Sequence, residues 1–365
     1  MKETIIATIL FADLMSSTEM SKNLTLHEYD EMIIDFQSTM YEVTSHHLSH
    51  YGYQGKGLDS CWSIAGDELC VFLYSGAVSF DMRNALLIAA KIKLAWLVSA
   101  FNERILKEGR LVSRVGVGIN SGKVIKDVRD WRVKMGEEQP TIEGYAINVA
   151  KRIESSSREG SAYQVMIGDS FYKRCLESSS INASFSSPRS LVFKGLGQKI
   201  PVYEVESFLN FEIVPSMPVS MQNGLLDKMQ YAVTQPMPEP WIFITLLRHY
   251  VSLIASGGHE YLETHAVELA KEALELLEYK TIIYSFLGWF HAYGKSVRNL
   301  EVALDYFDKS LAVEPRNEAA LLHKARIMEV MGKTDTARHT YEEILYHNHD
   351  HPEARRKLAQ YRAVQ

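Results

Sequence analysis

The chain has 365 residues, 46% hydrophobic and 23% charged, with a formal net charge of -6. That length holds more than one packed core, and the negative balance excludes a general nucleic-acid or anionic-membrane binder, so a polyanionic ligand must be held by a few local cations or metals. Cys61, Cys70 and Cys175 match neither a disulfide framework nor a zinc site. They point to a reducing compartment, the cytoplasm. The opening residues lack the apolar stretch of a signal peptide and no run reaches the length of a bilayer crossing, so no membrane segment is expected.

Residues 4–14 alternate toward β-branched and apolar types and predict a strand. It runs out through "TILFADLMSST", which places Asp13 at the end of a hydrophobic run. An unpaired carboxylate there is costly unless a partner or a metal stabilises it. A helix is expected from about Leu24 to His50. Next, "DSCWSIAGDELCVFLY" has two β-rich arms that meet at Gly66-Asp67, a dipeptide suited to a tight hairpin turn. Residues 83–107 predict a second long helix, "RVGVGINSGKVI" a further strand, and "GYAINVAKRIESS" a helix with one apolar face. The pattern is that of helices against one sheet.

Asp13 and Asp67 therefore fall at neighbouring strand tips, where two carboxylates suit magnesium, which takes carboxylate oxygens together with substrate phosphates. The competing reading makes Asp13 a cap for the turn through Ser16 to Thr18 and Asp67 a turn residue alone. The histidines support no metal site. His46, His47 and His50 close a polar helix, and His347, His349 and His351 sit in a late loop, so all are read as solvated surface. "GVGINSG" has neither the spacing nor the context of a dinucleotide-binding turn.

After "FKGLGQKIPVYEVESF" the texture changes. Residues 208–240 carry five prolines and little periodicity, and read as a linker between a first domain, 1–207, and a helical domain, 241–365. In that last part Ala303, Phe307 and Leu311 recur as Ala337, Tyr341 and Leu345, an offset of 34 residues. This is the tetratricopeptide period, and concave surfaces of such repeats bind peptides or proteins.

"FADLMSST", "GDELCVF", "RVGVGINSGKV", "GYAINVAKRIES" and "FKGLGQKIPVYEV" occur in the order and approximate spacing of class III nucleotidyl cyclase catalytic domains, which residues 4–207 resemble. The resemblance implies an α+β, ferredoxin-like catalytic domain followed by an all-α tetratricopeptide-like domain. It implies that Asp13, Asp67 and Leu14 hold two Mg2+ or Mn2+ ions per site, and that the backbone through Ser16, Ser17 and Thr18 cradles phosphates. It makes Asn148 and Arg152 the transition-state pair, the first orienting ribose and the second stabilising charge on the α-phosphate. Lys194 would approach the triphosphate. Family homodimers share each site between chains, so the expected state is a homodimer with composite sites that converts a nucleoside triphosphate to a cyclic nucleotide and pyrophosphate.

The base-reading positions depart from the purine cyclases. Where adenylyl cyclases of this family carry a lysine and an aspartate, this chain has Ser63 and Thr141, and the glutamate of guanylyl cyclases is absent as well. Hydroxyls donate or accept, which suits the mixed edge of a pyrimidine. The chain therefore also resembles bacterial pyrimidine nucleotide cyclases of antiphage defence, whose product, cyclic UMP or cyclic CMP, activates a separate effector. The alternatives are an adenylyl or guanylyl cyclase and a cyclase-like scaffold without turnover.

Overall fold

A computed structural model describes residues 2–364 except 16, 54–59, 111, 135–136, 179–180, 182, 193–198, 209–216, 223, 236–237, 258–259, 278–279 and 350. The chain forms two compact units, residues 1–238 and 239–365.

The first unit is built on β1 (Lys2–Leu14), α1 (Ser17–Asn23), α2 (Leu26–His50), β2 (Ser60–Ala65), β3 (Glu68–Leu73), α3 (Val78–Leu97), α4 (Ala100–Lys107) and β4 (Val115–Lys134). The sheet order β2-β3-β1-β4, with β1 antiparallel to both neighbours, is the ferredoxin-like arrangement. β5 (Glu137–Glu143) returns along β4, and α5 (Tyr145–Ser155) leads to β6 (Val165–Gly168), which pairs with β4 in parallel. α6 (Asp169–Glu177), β7 (Ala183–Phe185), β8 (Arg189–Val192) and β9 (Lys199–Phe208) complete a mixed sheet. Two short helices follow, α7 (Val219–Gln222) and α8 (Leu225–Val233). Lys228 of α8 pairs with Glu103 of α4 at 2.7 Å.

Central β1 is covered on both faces, and this explains its unbroken buried run from Ala7 to Ala12. Ala7, Ile9 and Phe11 pack with Cys61, Cys70, Val124 and the α5 residues Ala146 and Ala150. α3 lies against the sheet as well and is buried along most of its length, because α2 packs on it in turn.

The helix expected from about Leu24 to His50 is α2, whose start at Leu26 is set by the reciprocal capping box of Thr25 and Glu28, and the short α1 precedes it. Two expectations need correction. The helix expected over 83–107 breaks at Val98, and the Ser99 side chain caps α4 by accepting from the Asn102 N–H at 3.3 Å. His47 is not solvated. It follows Phe36, Met40, Val43 and Thr44 on the buried face of α2. Lys91 on α3 can only donate, so it donates to His47 Nδ1 at 3.2 Å, which leaves the Nε2–H to donate to Asn84 Oδ1 at 2.9 Å. His351 is also buried and faces Glu318 at 3.1 Å.

The second unit comprises α9 (Pro240–Ala255), α10 (Glu260–Leu276), α11 (Thr281–Tyr293), α12 (Leu300–Val313), α13 (Glu318–Val330), α14 (Thr334–His347) and α15 (Pro352–Val364). Ala303 and Phe307 pack on α11 and α13, and their counterparts Ala337 and Tyr341 are likewise fully buried. Gly288 is required beneath Phe307, because a Cβ there would lie 2.8 Å from the ring. Among the described residues no single helix is long and apolar enough to cross a membrane.

Candidate active site

Asp13 is the last residue but one of β1, opposite Glu68 on β3 and Gly116 on β4. Leu14 then donates its N–H to the Asp67 carbonyl at 3.2 Å, which closes the β2–β3 turn over the end of β1. Gly66 makes that turn possible with φ of +62°, a conformation glycine adopts without steric cost. Asp67 thus sits one position past Glu68, the cross-strand partner of Asp13, at the same end of the sheet. Both aspartates are partly buried. Burial, and after it the charge of Asp67, raises the Asp13 carboxyl above the ordinary range, while Lys151, Arg158 and the Leu14 N–H act against the rise. Two like charges held at one strand end in partial burial form a donor set that a divalent cation fits.

The helix α5 passes beside this end of the sheet. Ala146, Val149, Ala150, Ile153 and Glu154 are its buried residues. Asn148 and Arg152, one turn apart, are exposed on the other side. The close approach is the work of glycines on one face of β4: a Cβ at Gly118 would sit 2.2 Å from the Glu154 nitrogen, and one at Gly122 would sit 2.8 Å from the Ala146 Cβ. "GVGINSG" is thus the groove for α5.

Three charged residues at this site escaped the sequence reading. Glu154 is buried, and burial, then the nearby Asp13, pushes its carboxyl up to about 7. Lys151 forms an ion pair with Glu68, the residue after Asp67. The signal was present, since Lys151 and Glu154 stand i, i+3 inside "NVAKRIES", but the facing residues on β1 and β3 are far away in sequence.

Ser63 is half-buried on β2 opposite Cys70, and Thr141 lies on β5 opposite Asp127. Leu14 has a buried side chain, so only its backbone is available to a ligand. Ser17 and Thr18 open α1, and Ser16 and Lys194 lie outside the described residues. Among the described residues no group of three or more His, Cys, Asp or Glu side chains forms a metal cage. A cation held here would need oxygens from its substrate.

Residues 1–206 match the model for the adenylate and guanylate cyclase catalytic domain, and residues 298–361 match the tetratricopeptide repeat. No curated protein matches the chain. Among solved structures, the chain is similar to the adenylyl cyclase CyaB from P. aeruginosa at 18% identity, covering 57% of this chain and 96% of that one with a TM-score of 0.44. It is similar to the guanylyl cyclase Cya2 at 20% identity, covering 56% and 92% with a TM-score of 0.42. Adenylate cyclases from Trypanosoma brucei in their monomeric state match at 15% identity, 56% and 90% coverage and a TM-score of 0.40.

Proposed function

We propose, from the premise that this chain belongs to the adenylate and guanylate cyclase catalytic domain family, that it converts a nucleoside triphosphate to a 3′,5′-cyclic nucleotide and pyrophosphate. The observation that carries this reading is the Leu14 to Asp67 backbone bond, which brings Asp13 and Asp67 together at one strand end.

Asp13, Asp67 and the Leu14 carbonyl would hold divalent cations, Mg2+ or Mn2+, two per site. When bound, these supply activation of the ribose 3′-hydroxyl and neutralisation of the triphosphate. The backbone N–H groups of residues 16–18 would hold phosphate oxygens, since those of Leu14 and Met15 already donate to the Asp67 and Arg114 carbonyls, with Ser16, Ser17 and Thr18 adding hydroxyls and Lys194 a cation. Asn148 orients the ribose. Arg152, planar and always charged, stabilises the charge that builds on the α-phosphate. The exposure of Asn148 and Arg152 supports delivery to a second copy of the chain: in a two-fold homodimer each site takes its aspartates from one protomer and its Asn148 and Arg152 from the other.

Ser63 and Thr141 support a pyrimidine substrate, UTP or CTP, because neutral hydroxyls match a base edge that mixes donors and acceptors, whereas the charged residues of purine cyclases do not. With the resemblance to pyrimidine cyclases, this extends to a signalling role in antiphage defence. The deciding measurement is mass spectrometry of the cyclic product formed from equimolar ATP, GTP, CTP and UTP with Mn2+. Cyclic UMP or cyclic CMP is expected. A cyclic purine overturns the base assignment, and absence of pyrophosphate with every substrate overturns catalysis itself.

A further inference from the structure

Lys151 stands where the two halves of the protomer's chemistry meet. It projects from α5, the helix of Asn148 and Arg152, yet its ammonium pairs with Glu68 on β3, next to Asp67. It also lies 3.8 Å from a Glu154 carboxylate oxygen and 5.5 Å from the centre of the Phe11 ring on β1. Its charge opposes the rise of the Asp13 carboxyl. An ordinary helix-surface lysine pairs along its own helix and contributes little. Lys151 also spans from helix to sheet, with its ammonium over an aromatic ring.

We infer that Lys151 is a positioning residue that ties the Asp67 hairpin to α5 within one protomer, so that it serves the site built on its own chain's aspartates rather than the site its neighbour Arg152 completes. The physical reason is directional. The ion pair to Glu68 holds β3 at the residue following Asp67, and the contact with Phe11 holds β1 two residues before Asp13. Arg152 is exposed and takes no part in this link. The inference rests on the composite-site reading above.

The test uses mixed dimers of the full chain. The control pairs Asp67→Ala with Arg152→Ala chains and retains one sound site. Lys151→Met paired with Arg152→Ala leaves a working site whose aspartates belong to the chain with an intact Lys151, and its activity is expected to equal the control. Lys151→Met paired with Asp67→Ala forces the working site onto the lysine-free chain, and kcat is expected to drop by about 10-fold or more, the usual loss when a supporting partner is removed. Lys151→Arg should restore it. The opposite pattern, or two mixed dimers that both match the control, overturns the inference. A second readout needs no turnover: hydrogen exchange of residues 60–73 in the metal-free protein should quicken in Lys151→Met and in Glu68→Gln alike. Unchanged exchange in both overturns the tether, and this holds even where the control dimer is dead and the composite-site reading itself has failed.

Discussion

Gly118 has no side chain and yet decides where the chemistry sits. A methyl group there would meet the Glu154 nitrogen at 2.2 Å and the Ala150 carbonyl oxygen at 2.7 Å, both of them backbone atoms of α5 that cannot swing aside. Gly118→Ala must push the helix off the sheet, with an expected loss of about 1–3 kcal/mol in denaturant unfolding. Displacement of Asn148 and Arg152 by even ~1 Å is expected to cost turnover about 100-fold, which steady-state kinetics will read. A different balance governs His47. Burial first, and then the neighbouring Lys91, hold its ring well below the ordinary value of 6.5, with His50 and His46 adding to the effect and the Asn84 bond opposing it. A base whose folded pKa is depressed contributes stability that is present above the unfolded pKa and lost as pH falls. The melting temperature should therefore fall as pH drops below 6.5. His47→Gln, which cannot take a proton, should flatten that slope.

Among the elements, α5 shows how a periodic pattern carries two messages at once. Its buried positions dock it on the glycine groove of β4, and the positions between them, Asn148 and Arg152, are left outward by geometry alone. The helices of the second unit show the first message plainly. Tyr341 is fully buried among α13, α14 and α15, and its hydroxyl donates to Glu329 at 3.2 Å. Tyr341→Ala should cost about 3–5 kcal/mol. Because repeats contact chiefly their neighbours, the loss should appear as faster hydrogen exchange over residues 318–364 ahead of the rest of the chain.

For the molecule as a whole, the composite-site reading makes association a condition of catalysis. Turnover per chain should fall on dilution and recover at higher protein concentration, as mass action requires of a dimer with no active monomer. Activity per chain that stays constant across the dissociation range measured by sedimentation would count against shared sites.

Much of this was written in the chain itself. The order of strands and helices, the hairpin at Gly66-Asp67, the repeat offset of 34 and the placing of Asp13 and Asp67 each at a strand tip rest on local signals: periodicity, turn residues and carboxylates at strand ends. The restart at Thr25 and the burial of His47 were also legible, in a capping box and in a helical face that runs from Phe36 to His47. What only the tertiary structure decided is whatever joins residues distant in sequence. That Lys151 finds Glu68, that Glu154 lies close to Asp13, and that two glycines clear a path for α5 all depend on β1, β3 and β4 being neighbours. A side chain's charge and size are local properties. Its partner is set by the register of the sheet, and register is a property of the folded whole.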